Sequence, residues 1–176
     1  MKKEIKLRGV IFSALLVAIA VVLKVYLGIP VNMFGGFIKD INLSPSVIML
    51  AGIYMGPLYG GIVGGLTDIL AFIIRPLGAY NPLFTITNIL MGVIPGLFFM
   101  HNEEHSLKRV AVAVAVTQTI CSFIVNTLIL IILGYMPAKI AWFRALSTFV
   151  LLPVHIFIVY TILKMLDKAI TIDMKG

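Results

Sequence analysis

The sequence has 176 residues, 61% of them hydrophobic and 12% charged, with a mean hydropathy of +1.11. That balance excludes an ordinary soluble domain, in which about a quarter of residues are charged. A formal charge of +7 suggests nucleic acid as a partner, but the placement of the charges argues against it. Nine of the fourteen basic residues lie in three places: Lys2, Lys3, Lys6 and Arg8; Lys108 and Arg109; Lys164, Lys168 and Lys175. This is the positive-inside pattern of an even number of spans with both termini cytoplasmic. The expectation is a single integral-membrane domain over 1–176, all-α, with six transmembrane helices and cytoplasmic N- and C-termini. A cleaved signal peptide is not expected, because no small-residue cleavage site precedes a soluble domain. The lone Cys121 sits in an apolar run and reads as a packing residue.

The first helix is expected at about 8–27. Ala14 and Ala18 stand one turn apart there, a small-residue stripe that allows another helix to approach closely. Such a stripe serves an internal contact as readily as an external one. Lys24, near the outer end, reads as a base snorkelling to the interface. Residues 28–43, GIPVNMFGGFIKDINL, are too broken by Gly and Pro for a span and are expected to form a long outer loop. The apolar Phe34 and Phe37 suggest a lid packing down over something; Lys39 and Asp40 can pair with each other or leave Lys39 for a ligand.

A helix over 44–55 is expected to start with Ser44 as N-cap and Pro45 in the first turn. The next two, 57–74 and 82–100, enclose the most informative stretch of the chain. Between Ile41 and Met100 the only formal charges are Asp68 and Arg75. On one helix they share a face about 10 Å apart. Charges at membrane depth are expensive and face a protein interior or a watery cavity. Gly60, Gly61, Gly64 and Gly65 allow tight helix contact. Arg75-Pro76-Leu77-Gly78 breaks the helix, and Tyr80-Asn81-Pro82-Leu83-Phe84 follows as a polar, aromatic run. Thr85, Thr87 and Asn88 occupy the outer half of the next helix. The whole stretch reads as the wall and lid of a binding site over an outer loop at 75–81.

HNEEH at residues 101–105 is expected to be an exposed turn rather than a metal site. A fifth helix at 108–133 carries Gln118, Asn126 and Thr127 as interior polar groups, and an outer loop at 134–139 leads to a sixth helix at 140–166. The sixth holds Trp142, Phe143 and Arg144 near its outer end and Pro153 in its middle, a kink site; His155 reads as a packed, hydrogen-bonded residue. Five bases, Lys24, Lys39, Arg75, Lys139 and Arg144, lie on the outer side against the general rule. An anionic ligand arriving from outside gives them a purpose.

GGIVGGLTDILAFIIRPLGAYNPLFTITNILMGVIPGL resembles the helix 3–4 segment of the substrate-binding S components of energy-coupling factor (ECF) vitamin transporters, the folate-specific ones above all. VNTLIL at 125–130, and Arg144 followed nine residues later by Pro153, agree with it. Asn81 departs from the pattern, which more often has a second aromatic there. The resemblance implies a high-affinity folate-binding protein that works with a membrane coupling subunit (T component) and two ABC-type ATPases. It implies that Ala14 and Ala18 dock the coupling subunit. The chain has no Walker A loop, and neither a cofactor nor a metal is expected.

Folate suits the residue inventory. Asp68, Asn88 or Asn126 can accept from the pterin edge; Tyr80, Phe84, Trp142 and Phe143 offer ring faces. Arg75 and Arg144 can hold carboxylates bidentately. Asp68 and Arg75 can equally pair with each other or with Arg144 and only tie helices together. The alternatives are an S component for thiamine, riboflavin or a pantothenate-like acid, an intramembrane enzyme, or a scaffold. No enzyme is expected: Ser122, Ser147 and His155 lack a rhomboid-like protease context, and Asp68 is the sole acid within a span. The expected location is a bacterial plasma membrane, multi-pass.

Overall fold

The computed structural model describes residues 2–33, 36–76, 79–100 and 105–173, with side chains described outside 2–8, 30–40, 140 and 169–173. Six helices follow one another in these residues: α1 Lys2–Val25, α2 Ser44–Met55, α3 Pro57–Ile74, α4 Pro82–Phe99, α5 Leu107–Ile132 and α6 Ala141–Asp173. Four of them, α3 to α6, are long and apolar enough to cross a membrane, with Gly9–Val25 of α1 and α2 as shorter apolar pieces. The molecule is a multi-pass helical membrane protein.

Two helix boundaries and one connection differ from expectation. Helix α1 begins at Lys2 rather than near residue 8, and α6 runs to Asp173 rather than 166. In both places the extra residues include charges but no Gly or Pro, and Lys and Glu are good helix formers, so charge does not end the helix. The stretch expected as a loop at 28–43 holds a two-stranded antiparallel hairpin, β1 Ile29–Met33 and β2 Gly36–Ile41, with a register shift between Val31 and Asn32. The alternation of Ile29, Val31 and Met33 supports strand pairing. Phe34 and Gly78 lie outside the described residues, as do the side chains of Phe37, Lys39 and Asp40.

Helix α2 is the centre of the bundle. Nine of its twelve residues are buried, as befits a helix apolar all round. Its N-terminus is capped differently from expectation: Ser44 is already helical, and Asn42 Oδ1 accepts from Ser44 N at 3.1 Å. Twelve residues rise only about 18 Å, well short of a bilayer core of about 30 Å.

The helices α2, α3 and α4 meet backbone to backbone. A Cβ added at Gly60 would strike the carbonyl oxygen of Gly92 and the Cα of Gly52; one at Gly92 would strike the carbonyl of Gly60. A Cβ at Gly64 would strike the carbonyl of Asn88, and one at Gly96 would lie 2.7 Å from Pro57 Cα. Small residues let apolar helices touch where no hydrophobic drive exists between them and lipid. At the end of the bundle where α5 begins, Arg109 Nη2 donates to Phe98 O at 2.6 Å and His105 Nδ1 lies 2.8 Å from Asp167 Oδ2. His105 is thus a tied residue, not part of an exposed turn; residues 101–104 lie outside the described ones.

Gly92→Ala is expected to destabilise by at least the 1–3 kcal/mol of an overpacked core, about as an order of magnitude. Gly65→Ala should cost less, because its Cβ would meet only the Ile89 side chain, at 3.1 and 3.4 Å. Cys121 is fully buried, so the rate of its labelling by a thiol dye on heating reads both variants. Equal midpoints for the two would disprove the glycine contact.

Candidate functional site

Beside the end of α2 that starts at Ser44, the bundle encloses a cavity of about 650 Å³. Helix α1 gives it Lys24 and Val25; α2 gives Ser44 and Pro45; α3 gives Asp68, Ala71 and Phe72. The α3–α4 connection adds Arg75, Pro76, Ala79, Tyr80 and Asn81, and α4 adds Phe84, Asn88 and Met91. From the other side come Gln118, Ser122, Asn126 and Leu130 of α5, Tyr135, and Arg144, Leu151 and His155 of α6. One wall is aromatic: the Phe72 and Tyr80 rings lie 5.1 Å apart and tilted.

Asp68 is the hub of a polar network. Lys24 Nζ lies 2.5 Å from Asp68 Oδ1. Thr85 Oγ1 donates to Oδ2 at 2.7 Å, and Asn88 Nδ2 donates to Oδ1 at 3.0 Å. The Tyr80 hydroxyl is 2.8 Å from Thr85 Oγ1, extending the chain to the α3–α4 connection. A buried carboxylate is tolerated only when charge and hydrogen bonds compensate it, and here α1 and α4 both do so. Lys24 is therefore an ion-pair partner and not a snorkelling base. The pairing of Asp68 with Arg75 does not occur.

Arg75 is anchored elsewhere. Its Nη1 donates to the carbonyls of Val25 at 2.8 Å and Gly28 at 3.3 Å. These belong to the C-terminal end of α1 and the residues just after it, where carbonyls lack helical partners and a cation is favoured. Asn81 caps α4: its side chain accepts from Leu83 N at 2.9 Å. A cap needs a short polar side chain, which accounts for Asn where an aromatic was expected.

Helix α5 changes pitch in its middle, and Gln118–Val125 is π-helical. Asn126 N–H turns to the carbonyls of Cys121 and Phe123 and passes over that of Ser122. Arg144 Nη2 donates to that Ser122 carbonyl at 3.1 Å, while Arg144 Nε donates to Thr127 Oγ1 at 3.0 Å. So a buried guanidinium, 3% exposed, is oriented by the irregular turn it faces. His155 Nδ1 lies 2.7 Å from Ser46 Oγ, tying α6 to α2 as a hydrogen-bonded packing residue.

The structure brings together Asp68, Arg75, Pro76, Tyr80, Asn81, Phe84, Asn88, Asn126 and Arg144 around one cavity. Trp142 is not among them: it is 67% exposed, on the outward side of α6, and Phe143 does not line the cavity either. The two aromatics precede Arg144 at spacings of two and one, which on a helix turn them away from its face. Ala14 and Ala18 are exposed on α1. Sequence reasoning named Lys24 among the outer bases and Gln118 among the interior polar groups without placing either at the site, and it left Phe72, Ser122 and Tyr135 out of the site. The four-residue spacing of Gln118, Ser122 and Asn126 in an otherwise apolar helix was the available signal for Gln118 and Ser122.

A family model described as ECF transporter, substrate-specific component, matches residues 8–169. The chain is 32% identical over 167 residues to the folate transporter FolT of Clostridium novyi (strain NT), covering 93% of this chain and 92% of that protein. The crystal structure of FolT bound with folic acid superposes with a TM-score of 0.76 at 24% identity, over 89% of this chain and 94% of the other. The structure of the S component of a bacterial ECF transporter gives a TM-score of 0.62 at 19% identity, over 97% and 99%. These two show the fold. Matched over nearly its full length, the chain belongs to the substrate-specific components of ECF transporters.

Proposed function

We propose that this chain is the high-affinity folate-binding S component of an ECF transporter. It captures folate from outside and delivers it inward with a membrane coupling subunit and two ABC-type ATPases. Its place is a bacterial plasma membrane, with both termini cytoplasmic. The observation that carries the reading is the charge of the cavity. Lys24, Arg75 and Arg144 face it against Asp68 alone; three cations less one carboxylate leave a net +2 with His155 neutral. Folate brings two carboxylates and flat rings that match the Phe72–Tyr80 wall. Thiamine, a cation, is disfavoured by the same balance. The 32% identity to a folate transporter supports the choice among vitamins.

In this reading Asp68 serves the architecture, since Lys24, Thr85 and Asn88 hold its oxygens. Arg75 and Arg144 are the carboxylate partners. The exposed Ala14 and Ala18, beside exposed Ile11, Leu15, Ile19 and Val22, form the face for the coupling subunit. Lys39 is a further ligand contact in this reading, and Phe34, Phe37, Pro76 and Gly78 are its gating residues.

The purified chain alone is expected to bind folate without ATP. Calorimetric titration with folate, thiamine, riboflavin and biotin checks this; tight binding of another vitamin and none of folate would sink the reading. Arg144→Ala should weaken folate binding by roughly 10- to 150-fold, the loss of a hydrogen bond to a charged group at about 1.5–3 kcal/mol. The loss should be smaller for pteroate, which lacks the glutamate; an equal loss for both would remove Arg144 from the carboxylate site. Replacing Ala14 and Ala18 together by Trp should leave folate binding by the isolated chain near wild type while uptake in cells with the coupling subunit and ATPases collapses. Loss of both activities would place the alanines in an internal contact instead.

A further inference from the structure

Helix α6 presents a second concave surface, separate from the cavity. Tyr160, Thr161, Lys164, Met165 and Lys168 line a groove of about 270 Å³ on its side. Thr161, Lys164, Met165 and Lys168 are exposed, and Lys164 Nζ lies 5.6 Å from the centroid of the Tyr160 ring. A cation over an aromatic face is attracted by the ring quadrupole, so one of the two ammonium groups has a defined seat. Among the described residues neither lysine forms an ion pair. The acid beside them, Asp167, is turned to His105.

The same helix sets the depth of this groove in a bilayer. The exposed Trp142 stands near the start of α6, and indoles favour the membrane–water interface. Lys164 follows it by 22 residues, a rise of about 33 Å, close to the ~30 Å of a hydrocarbon core. With Trp142 at one interface, Lys164 stands at the headgroup level of the other, and Lys168 lies one turn further out. Val154 and Phe157, both exposed, continue the face of Thr161 and Lys164 towards Trp142 at helical spacing. From Val154 to Lys164 the rise is about 15 Å, the thickness of one leaflet of that core. Helix α6 packs on α2 and α5, whereas α1 packs on α2 and α3, so this stripe is distinct from the face of Ala14 and Ala18.

We propose that this face of α6 is a docking site for one anionic phospholipid. Lys164 and Lys168 take the headgroup phosphate, Thr161 donates to a phosphate or ester oxygen, and an acyl chain lies along Phe157 and Val154. Charge complementarity selects the occupant. Two ammonium groups at headgroup depth attract a net negative headgroup, whereas a zwitterionic one brings its own cation to the same place. Basic residues just outside a span favour anionic lipid by roughly five-fold each, and here the cation seated on Tyr160 and the neighbouring hydroxyl confine that attraction to one groove. The site is independent of the cargo in the cavity, so it stands whether or not that cargo is folate.

Native mass spectrometry of the detergent-purified full chain reads the first lipid bound, with phosphatidylglycerol and phosphatidylcholine of the same acyl chains as probes. Wild type is expected to bind phosphatidylglycerol roughly 5- to 30-fold more tightly than phosphatidylcholine, the range of one to two lysines. The double variant Lys164→Gln, Lys168→Gln should lose that preference and keep its phosphatidylcholine binding. Lys108→Gln should retain it: that base is exposed on α5 at the same end of the bundle, where His105 meets Asp167. Equal binding of both lipids by wild type overturns the proposal, as does a preference that survives the double variant. An equal loss in Lys108→Gln would assign the effect to diffuse surface charge, and competition by free glycerol phosphate would assign it to a phosphate pocket; either removes the lipid site. If the double variant does not fold, the single variants decide. Each should lose roughly five-fold, and an unchanged preference in both overturns the proposal. A wild type without preference, together with a double variant that loses uptake in cells, would give this face to a protein partner instead.

Discussion

The contact of α2, α3 and α4 through bare backbone is the constraint on which the site depends. Gly52, Gly60 and Gly92 leave no room for a single methyl group, so the three axes are fixed by peptide groups rather than by adaptable side chains. One turn further along, Gly64 presses on the carbonyl of Asn88, and one turn beyond Gly64 stands Asp68. Asn88 then reaches Asp68 with its amide. A displacement of α3 against α4 would be felt at once by the carboxylate, whose bonds tolerate only tenths of an ångström. Packing and polar chemistry are thus two readings of one interface.

The Asp68 network also explains how a membrane protein keeps an acid at depth. A lone carboxylate there would be protonated or destabilising; paired with Lys24 and bonded to Thr85 and Asn88, it becomes a neutral strut joining α1, α3 and α4. Arg75 adds a second strut to α1 through the carbonyls of Val25 and Gly28. The helix carrying Ala14 and Ala18 is accordingly attached to the cavity at two charged points, both near its C-terminal end.

Much of this was legible in the chain because membrane burial makes polar residues conspicuous. Asp68, Arg75, Asn88 and Arg144 stood out against apolar surroundings, and the structure brings all four to one cavity. The partner choices were not legible. Asp68 and Arg75 share a helix face, yet Lys24, forty-four residues away in sequence, takes the acid, because the pairing is decided by how α1 crosses α3. Trp142 looked like a ring for stacking, but its neighbour Arg144 claims the inward face and the indole points outward. The hairpin between α1 and α2 was hidden by its Gly and Pro, which argue against a span without distinguishing loop from strand. The change of pitch in α5 has no breaker residue to announce it; QTICSFIV reads as ordinary helix.

Helix α2 stops about 12 Å short of the bilayer core thickness, and Ser44 and Pro45 at that early end line the cavity. The pocket thus borders the early end of a helix too short to span a bilayer core by itself. Adding one turn ahead of Ser44 would raise that end by about 5.4 Å without disturbing the glycine contacts below. Insertions and deletions at this one point are therefore a route to cargo of a different size, open to a bundle whose packing stays unchanged.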